Sequence, residues 1–206
     1  MGEVYKARDT RLERVVAIKL LTGPSEQMAA LRDRIEREAR AVSQLNHPHI
    51  CTLYDIGESV PDTNGAAVSY LVMEFVEGET LADRLTKGPL PFERALPLAA
   101  QIADALDRAH RSGIIHGDLK PGNVMLTKGG IKLLDFGLAR QRRPAPSADW
   151  ADASTRSAQV APDDAVMGTL QYLSPEQLDG RPSDERTDIF ACGAVIYEML
   201  TARRAF

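Results

Sequence analysis

Two charged residues stand where apolar ones are expected. Lys19 interrupts the apolar run from Val15 to Leu21, and Glu38 takes the missing step of a helical stripe made by Leu31, Ile35, Val42 and Leu45. A lone charge buried in either place costs several kcal/mol, so each needs a partner. The economical arrangement sets the two against each other. A lysine paired in this way keeps N–H donors for an anion such as phosphate. The alternative is a frayed strand end and a solvated helix charge, on a face already carrying Arg32, Asp33, Arg34, Glu36, Arg37 and Arg40. From these two residues alone, both readings stay open.

A second group is denser. His116-Gly117-Asp118-Leu119-Lys120-Pro121-Gly122-Asn123 packs a histidine, two further ionisable groups and an amide between the apolar pairs Ile114-Ile115 and Val124-Met125. Polar groups bracketed by apolar strands form either a satisfied turn or an active site. Asp135-Phe136-Gly137, directly after another apolar run, has the same ambiguity. Together Asp118, Asn123 and Asp135 offer hard oxygen donors without a thiolate or imidazole cluster. That set suits Mg²⁺, which takes one or two carboxylates and completes its shell with substrate phosphates.

The elements that would carry these residues follow from periodicity and turn chemistry. Val15–Leu21, 51–57, 69–76 and 131–134 read as strands, with Pro61-Asp62-Thr63-Asn64-Gly65 as a turn. Helical patterns cover 31–45, 92–111 and 188–202. Gly113 would stop the second of these, and Pro97 must lie in its first turns or kink it. Residues 140–166 are rich in Ala, Ser, Pro, Asp and Arg without a period, and read as a mobile loop. Strands dominate the first third and helices the rest, which predicts an α+β protein with two lobes.

The totals narrow the classes. With a hydrophobic fraction of 44% and a charged fraction of 26%, the 206 residues can bury an ordinary globular core. A net charge of −4 gives no basic excess, so neither nucleic acid nor an acidic membrane surface is an expected partner. Cys51 and Cys192 have no metal-type spacing and point to a reducing, cytoplasmic setting. No apolar run approaches the roughly 18 residues of a membrane helix.

In their order along the chain, the pieces resemble the signature set of protein kinases. That set comprises Val16-Ala17-Ile18-Lys19, a helical Glu38, His116-x-Asp118 followed by Asn123, Asp135-Phe136-Gly137, and Ser174-Pro175-Glu176 in place of Ala-Pro-Glu. In detail the chain is most similar to bacterial Ser/Thr kinases of the eukaryotic type, through Gly2-Glu3-Val4-Tyr5-Lys6-Ala7, Asn46-His47-Pro48-His49-Ile50 and Gly168-Thr169 with Tyr172. The resemblance implies a bilobal kinase fold, with 1–76 as a small β-rich lobe holding one helix and 77–206 as a larger, mainly helical lobe. It implies ATP and Mg²⁺ as cofactors and protein Ser/Thr hydroxyls as substrates. Lys19 would hold the α- and β-phosphates and pair with Glu38. Asp118 would accept the proton of the substrate hydroxyl, and Lys120 would neutralise the γ-phosphate in transfer. Asn123 and Asp135 would hold the metal. Gly2 would cover the phosphates. Val4, Ala17, Met125 and Leu134 would sandwich adenine, Met73 would line the back of its pocket, and the backbone of Glu74 and Val76 would bond its edge. In the family, Lys120 and Thr169 mark Ser/Thr specificity. Asp188 would tie down the catalytic-loop backbone, although a helix N-cap reading fits it as well.

Several positions depart from the family pattern. Gly117 stands where Arg is usual, so activity is expected to depend little on phosphorylation of Ser147, Ser154, Thr155 or Ser157. Gly2 aligns with the last glycine of the Gly-rich loop, and the chain stops just after the central helix. The expectation is therefore a kinase domain incomplete at both ends, with Glu176 left as a buried carboxylate lacking its usual Arg, and a piece of low stability. Two other functions compete: an aminoglycoside-type phosphotransferase, which shares His-Gly-Asp, and a catalytically inert pseudokinase-like fragment.

Overall fold

The computed structural model describes residues 3–21, 36–59, 68–136 and 170–206. Gly2, Gly137, Thr169, the 61–65 turn, residues 140–166 with their four candidate phosphorylation sites, and the first part of the 31–45 helix lie outside the described residues.

The N-terminal half is an antiparallel sheet ordered β1-β2-β4-β3. Its strands are β1 (Val4–Asp9), β2 (Arg14–Leu21), β3 (Leu53–Ser59) and β4 (Val68–Glu74). β2 is rich in Val, Ile and Leu, as a central strand should be. Its register sets Lys19 opposite Val4 on one side and Leu71 on the other, and Ala17 opposite Met73. A helical segment at residues 36–42, α1, contributes buried Ala39 and Val42 to the core.

The C-terminal half is mainly helical. α2 (Leu81–Leu85) precedes the long α3 (Phe92–His110), and α4 (Pro175–Leu178) precedes α5 (Glu185–Thr201). α3 buries Ala95, Ala99, Ile102, Ala105, Leu106 and Ala109, an i, i+4, i+7 stripe of mostly small residues. Pro97 sits in its second turn on the exposed side, so the helix continues through it. The end is a Schellman closure, with Ile114 N–H donating to Ala109 O (3.0 Å) and Gly113 N–H to His110 O (2.8 Å). Gly113 takes the positive φ, +71°, that this closure needs.

A second sheet, β5-β6-β7, lies between the halves. It comprises β5 (Glu79–Thr80), β6 (Val124–Thr127) and β7 (Gly130–Leu133). Residues 49–51 join its edge: Leu133 N–H donates to His49 O and Cys51 N–H to Leu133 O, both at 2.9 Å. One hydrophobic cluster therefore runs from Val42, Leu53 and Leu71 through Leu133 and Phe136 to Ile102, Val195 and Met199.

Three expectations are corrected. α5 starts at Glu185, capped by Asp184 with Thr187 reciprocating, so Asp188 lies inside the first turn and is not the cap. Glu176 is half-buried, not buried, and its Oε1 accepts the Thr187 hydroxyl at 2.7 Å. That hydrogen bond holds its carboxyl below the usual range, so the carboxylate does not stand unsatisfied. The strand expected at 51–57 runs from Leu53 to Ser59, because residues 49–51 pair with β7 instead.

Two glycines give opposite predictions. A Cβ at Gly78 (φ +155°) would lie 2.0 Å from Leu126 O, whereas one at Gly193, inside α5, meets nothing within 4 Å. Gly78→Ala should cost about 1–3 kcal/mol through strain and clash. Gly193→Ala should add about 0.5–1 kcal/mol, the helix cost of glycine. Thermal unfolding of the full-length protein with each change checks both signs.

Candidate active site

The segment between α3 and β6 carries the dense polar group, and one carboxylate holds it in place. Asp188 is fully buried. Its Oδ2 accepts His116 N–H at 2.8 Å, and its Oδ1 accepts Gly117 N–H at 2.7 Å. His110, from the last turn of α3, reaches Oδ2 at 2.7 Å. A buried carboxylate is tolerable only with its lone pairs satisfied in this way. Gly117 adopts φ +73°, a left-handed conformation that glycine reaches without strain, and its carbonyl accepts Gln177 Nε2–H from α4 at 2.9 Å.

His116 is internal to the scaffold. Its Nε2 lies 3.0 Å from Leu134 O, an acceptor only, and its Nδ1 accepts the N–H of Asp118 at 3.3 Å. Those partners fix the neutral Nε2–H tautomer. The ring packs on Phe136 at 4.6 Å between centroids. Burial, the dominant influence, lowers its pKa.

Three functional groups gather next. Lys120 Nζ lies 2.9 Å from Asp118 Oδ2, and Asn123 Nδ2 donates to the same oxygen at 3.1 Å and to the Asp118 carbonyl at 2.7 Å. Among the described residues, Asp118 Oδ1 and Asn123 Oδ1 are left as acceptors. Leu134 N–H donates to Asn123 O at 2.9 Å, which brings the residues after β7 beside this loop. There Asp135 adopts φ +59°, a conformation Asp tolerates better than most residues. From the other sheet, Lys19 Nζ lies 2.7 Å from Asp135 Oδ2, with 13% of its side chain exposed. The sequence reading set Glu38 against Lys19. Among the described residues the ion pair of Lys19 is with Asp135.

The apolar positions expected to enclose adenine differ in burial. Ala17 is buried, Met73, Met125, Leu134 and Val76 are half-buried, and Val4 is 60% exposed. Behind them, Val42, Cys51, Leu53, Met73 and Phe136 line a small apolar cavity. Burial pushes the Cys51 thiol up to about 12, and both cysteines are free. Glu74 N–H is used by Thr52 O at 2.8 Å, so its backbone offers the carbonyl alone to a ligand.

One pairing escaped the sequence reading. Lys132 Nζ lies 2.8 Å from Glu74 Oε2 and 3.3 Å from Ile50 O, and Thr52 N–H donates to the same Glu74 oxygen at 3.2 Å. It ties β7 to the end of β4 behind the cleft. The signal that singled out Lys19, a lysine inside an apolar strand, marks Lys132 as well.

With this geometry in view, the comparisons with known proteins decide the family. The protein kinase domain model matches residues 1–206. The chain belongs to the protein kinase family. It is 44% identical over 209 residues to the "Probable serine/threonine-protein kinase SCO3848" of Streptomyces coelicolor, covering 100% of this chain and 29% of that protein. It is 41% identical over 208 residues to the serine/threonine-protein kinase PknB of Mycobacterium leprae, covering 100% and 31%. It is 43% identical over 210 residues to the serine/threonine-protein kinase pkn2 of Myxococcus xanthus, covering 100% and 23%. The chain thus spans less than a third of the length of these curated relatives. Among the described residues, no helix is long and apolar enough to cross a membrane.

His116 gives a pH prediction. Its folded pKa lies below that of the unfolded chain, so below the ordinary value near 6.5 the unfolded state binds more protons. Its contribution to stability is full above that value and is lost as the pH falls through it. Urea unfolding midpoints should drop between pH 7.5 and 5.5, and His116→Gln should flatten that slope. An unchanged slope would contradict the assignment.

Proposed function

We propose that this chain transfers the γ-phosphate of ATP to Ser and Thr hydroxyls of protein substrates. The observation that carries this reading is the meeting of Lys19 and Asp135, 2.7 Å apart, beside an Asp118 already bonded to Lys120 and Asn123. A loose phosphoryl-transfer transition state needs positioned charge more than a strong base, and two lysines with two carboxylates supply it.

In this reading Lys19 binds the α- and β-phosphates, and Glu38 orients it. Asp118 Oδ1 accepts the hydroxyl proton as the substrate oxygen bonds to the γ-phosphorus and the bond to the β-phosphate oxygen breaks. Lys120 neutralises the moving phosphoryl group. The donor set of Asn123 Oδ1 and the Asp135 carboxylate fits Mg²⁺, since hard oxygens in that number leave room for phosphate ligands. When bound, the ion neutralises charge between the phosphates. Val4, Ala17, Met125 and Leu134 enclose adenine, with Met73 behind it and the Glu74 carbonyl and the Val76 backbone on its edge. Gly2 covers the phosphates, and 1–76 and 77–206 act as the two lobes. Specificity for Ser and Thr rests on Lys120, on Thr169, and on the names of the relatives. A cytoplasmic location, without nucleic-acid partners, follows from the ATP requirement, the free thiols and the net charge of −4.

The test uses the full-length protein with Mg·ATP and a panel of Ser/Thr peptides. Asp118→Asn should lower kcat by about 10²–10⁴, the usual size of general-base catalysis. Phosphoamino-acid analysis should give phosphoserine or phosphothreonine. Undiminished turnover in the variant, or transfer to an aminoglycoside in place of peptides, would overturn the reading.

A further inference from the structure

The peptide group between Gly117 and Asp118 joins a glycine to the carboxylate that takes the proton in the reading above. Glycine has no Cβ to restrict φ and ψ, so this plane can turn at little local cost. Turning it swings the Cα–Cβ bond of Asp118, and the carboxylate with it. Misplacing a reacting group by about 1 Å can cost on the order of 10²-fold in rate. The plane therefore needs restraint from outside its own backbone.

Four hydrogen bonds hold the backbone of Gly117 and Asp118, three of them from the loop itself and Asp188. Gly117 N–H donates to Asp188 Oδ1 at 2.7 Å, Asp118 N–H donates to His116 Nδ1 at 3.3 Å, and the Asp118 carbonyl accepts Asn123 Nδ2–H at 2.7 Å. The fourth comes from α4, where Gln177 Nε2–H donates to the Gly117 carbonyl at 2.9 Å. On the peptide plane itself, the bond from Gln177 is shorter than the 3.3 Å bond to His116 at the opposite end. The other end of the Gln177 amide is engaged as well. Its Oε1 accepts Ser174 N–H at 3.0 Å, and Ser174 is fully buried. An N–H at one end and a carbonyl at the other leave one orientation for the amide. The side chain thus carries the placement of α4 into the loop.

We infer that Gln177 is a positioning residue for phosphoryl transfer, whose amide locks the Gly117–Asp118 peptide plane and so aims the Asp118 carboxylate. The inference rests on the kinase reading above and adds to it a residue from outside the loop. A backbone that glycine leaves free to turn is held by a side chain sixty residues further along the chain.

Two substitutions separate positioning from capping. Gln177→Glu keeps an oxygen for Ser174 N–H but sets a second oxygen against the Gly117 carbonyl, so the cap survives and the loop bond is lost. Gln177→Met is similar in length and loses both bonds. In the full-length protein with Mg·ATP and a Ser/Thr peptide, Gln177→Glu should lower kcat about tenfold and change the KM for ATP by less than about twofold. Its unfolding temperature should match that of the wild type. Gln177→Met should lower kcat to a similar extent, and the unfolding temperature as well. In an Asp118→Asn background either change should cost less than about twofold more, because Gln177 acts through that carboxylate. Undiminished kcat in either variant, or the same loss in the Asp118→Asn background, would overturn the inference. Wild-type turnover no greater than that of Asp118→Asn would instead overturn the kinase reading, and the inference with it.

Discussion

The ion pair between Lys19 and Asp135 is the constraint on which the site depends. One partner comes from the middle of the N-terminal sheet, the other from the residues that leave β7, and they meet at 2.7 Å. Neither is at home alone. Lys19 lies within an apolar strand with little of its side chain exposed, and Asp135 occupies a left-handed conformation that costs energy for any residue with a Cβ. A charge removed from water is stable only with a partner, so the pair draws the two halves together over the cleft. The Lys132–Glu74 pair does the same behind it, between β7 and the end of β4. Two ion pairs and one continuous hydrophobic cluster thus fix how the sheet sits over the helices.

The loop that carries Asp118 depends in turn on Asp188. A loop has no ladder of its own to satisfy its backbone, and here a single buried carboxylate accepts two consecutive N–H groups and the ring of His110. His116 carries the order onward, donating to Leu134 O and packing at a tilt on Phe136, so the loop and the residues around Asp135 are positioned by one network. Gln177 extends it to α4 through the carbonyl of Gly117. A chain of satisfied polar groups of this kind is rigid, and a positioned transition state needs that rigidity.

Much of this was legible in the sequence because the functional residues violate local rules. A lysine in an apolar strand and a turn crowded with ionisable groups mark themselves by their cost, and the long α3 announced itself through its period and Gly113. What was not legible depends on long-range geometry. Periodicity cannot say which of two carboxylates holds Lys19, and the structure gives Asp135 where the sequence suggested Glu38. Nor can it register α5, whose apolar residues surround the helix, so that its start was set at Asp188 and not at the Asp184 cap. The resemblance made Glu176 look like an orphan lacking its usual Arg, although Thr187, eleven residues on, satisfies it. Lys132 carried the same mark as Lys19 and became informative only once Glu74 was seen beside it.

The central claim is that Lys19 and Asp135 act as one unit at the nucleotide site, and a double-mutant cycle tests it most directly. Affinity for a fluorescent ATP analogue with magnesium would be measured for the full-length protein, for Lys19→Met, for Asp135→Asn and for the double variant. Each single change should weaken binding, and the double variant should lose clearly less than the two effects combined, because either change already breaks the pair. Fully additive losses, or nucleotide binding untouched by either substitution, would contradict the account.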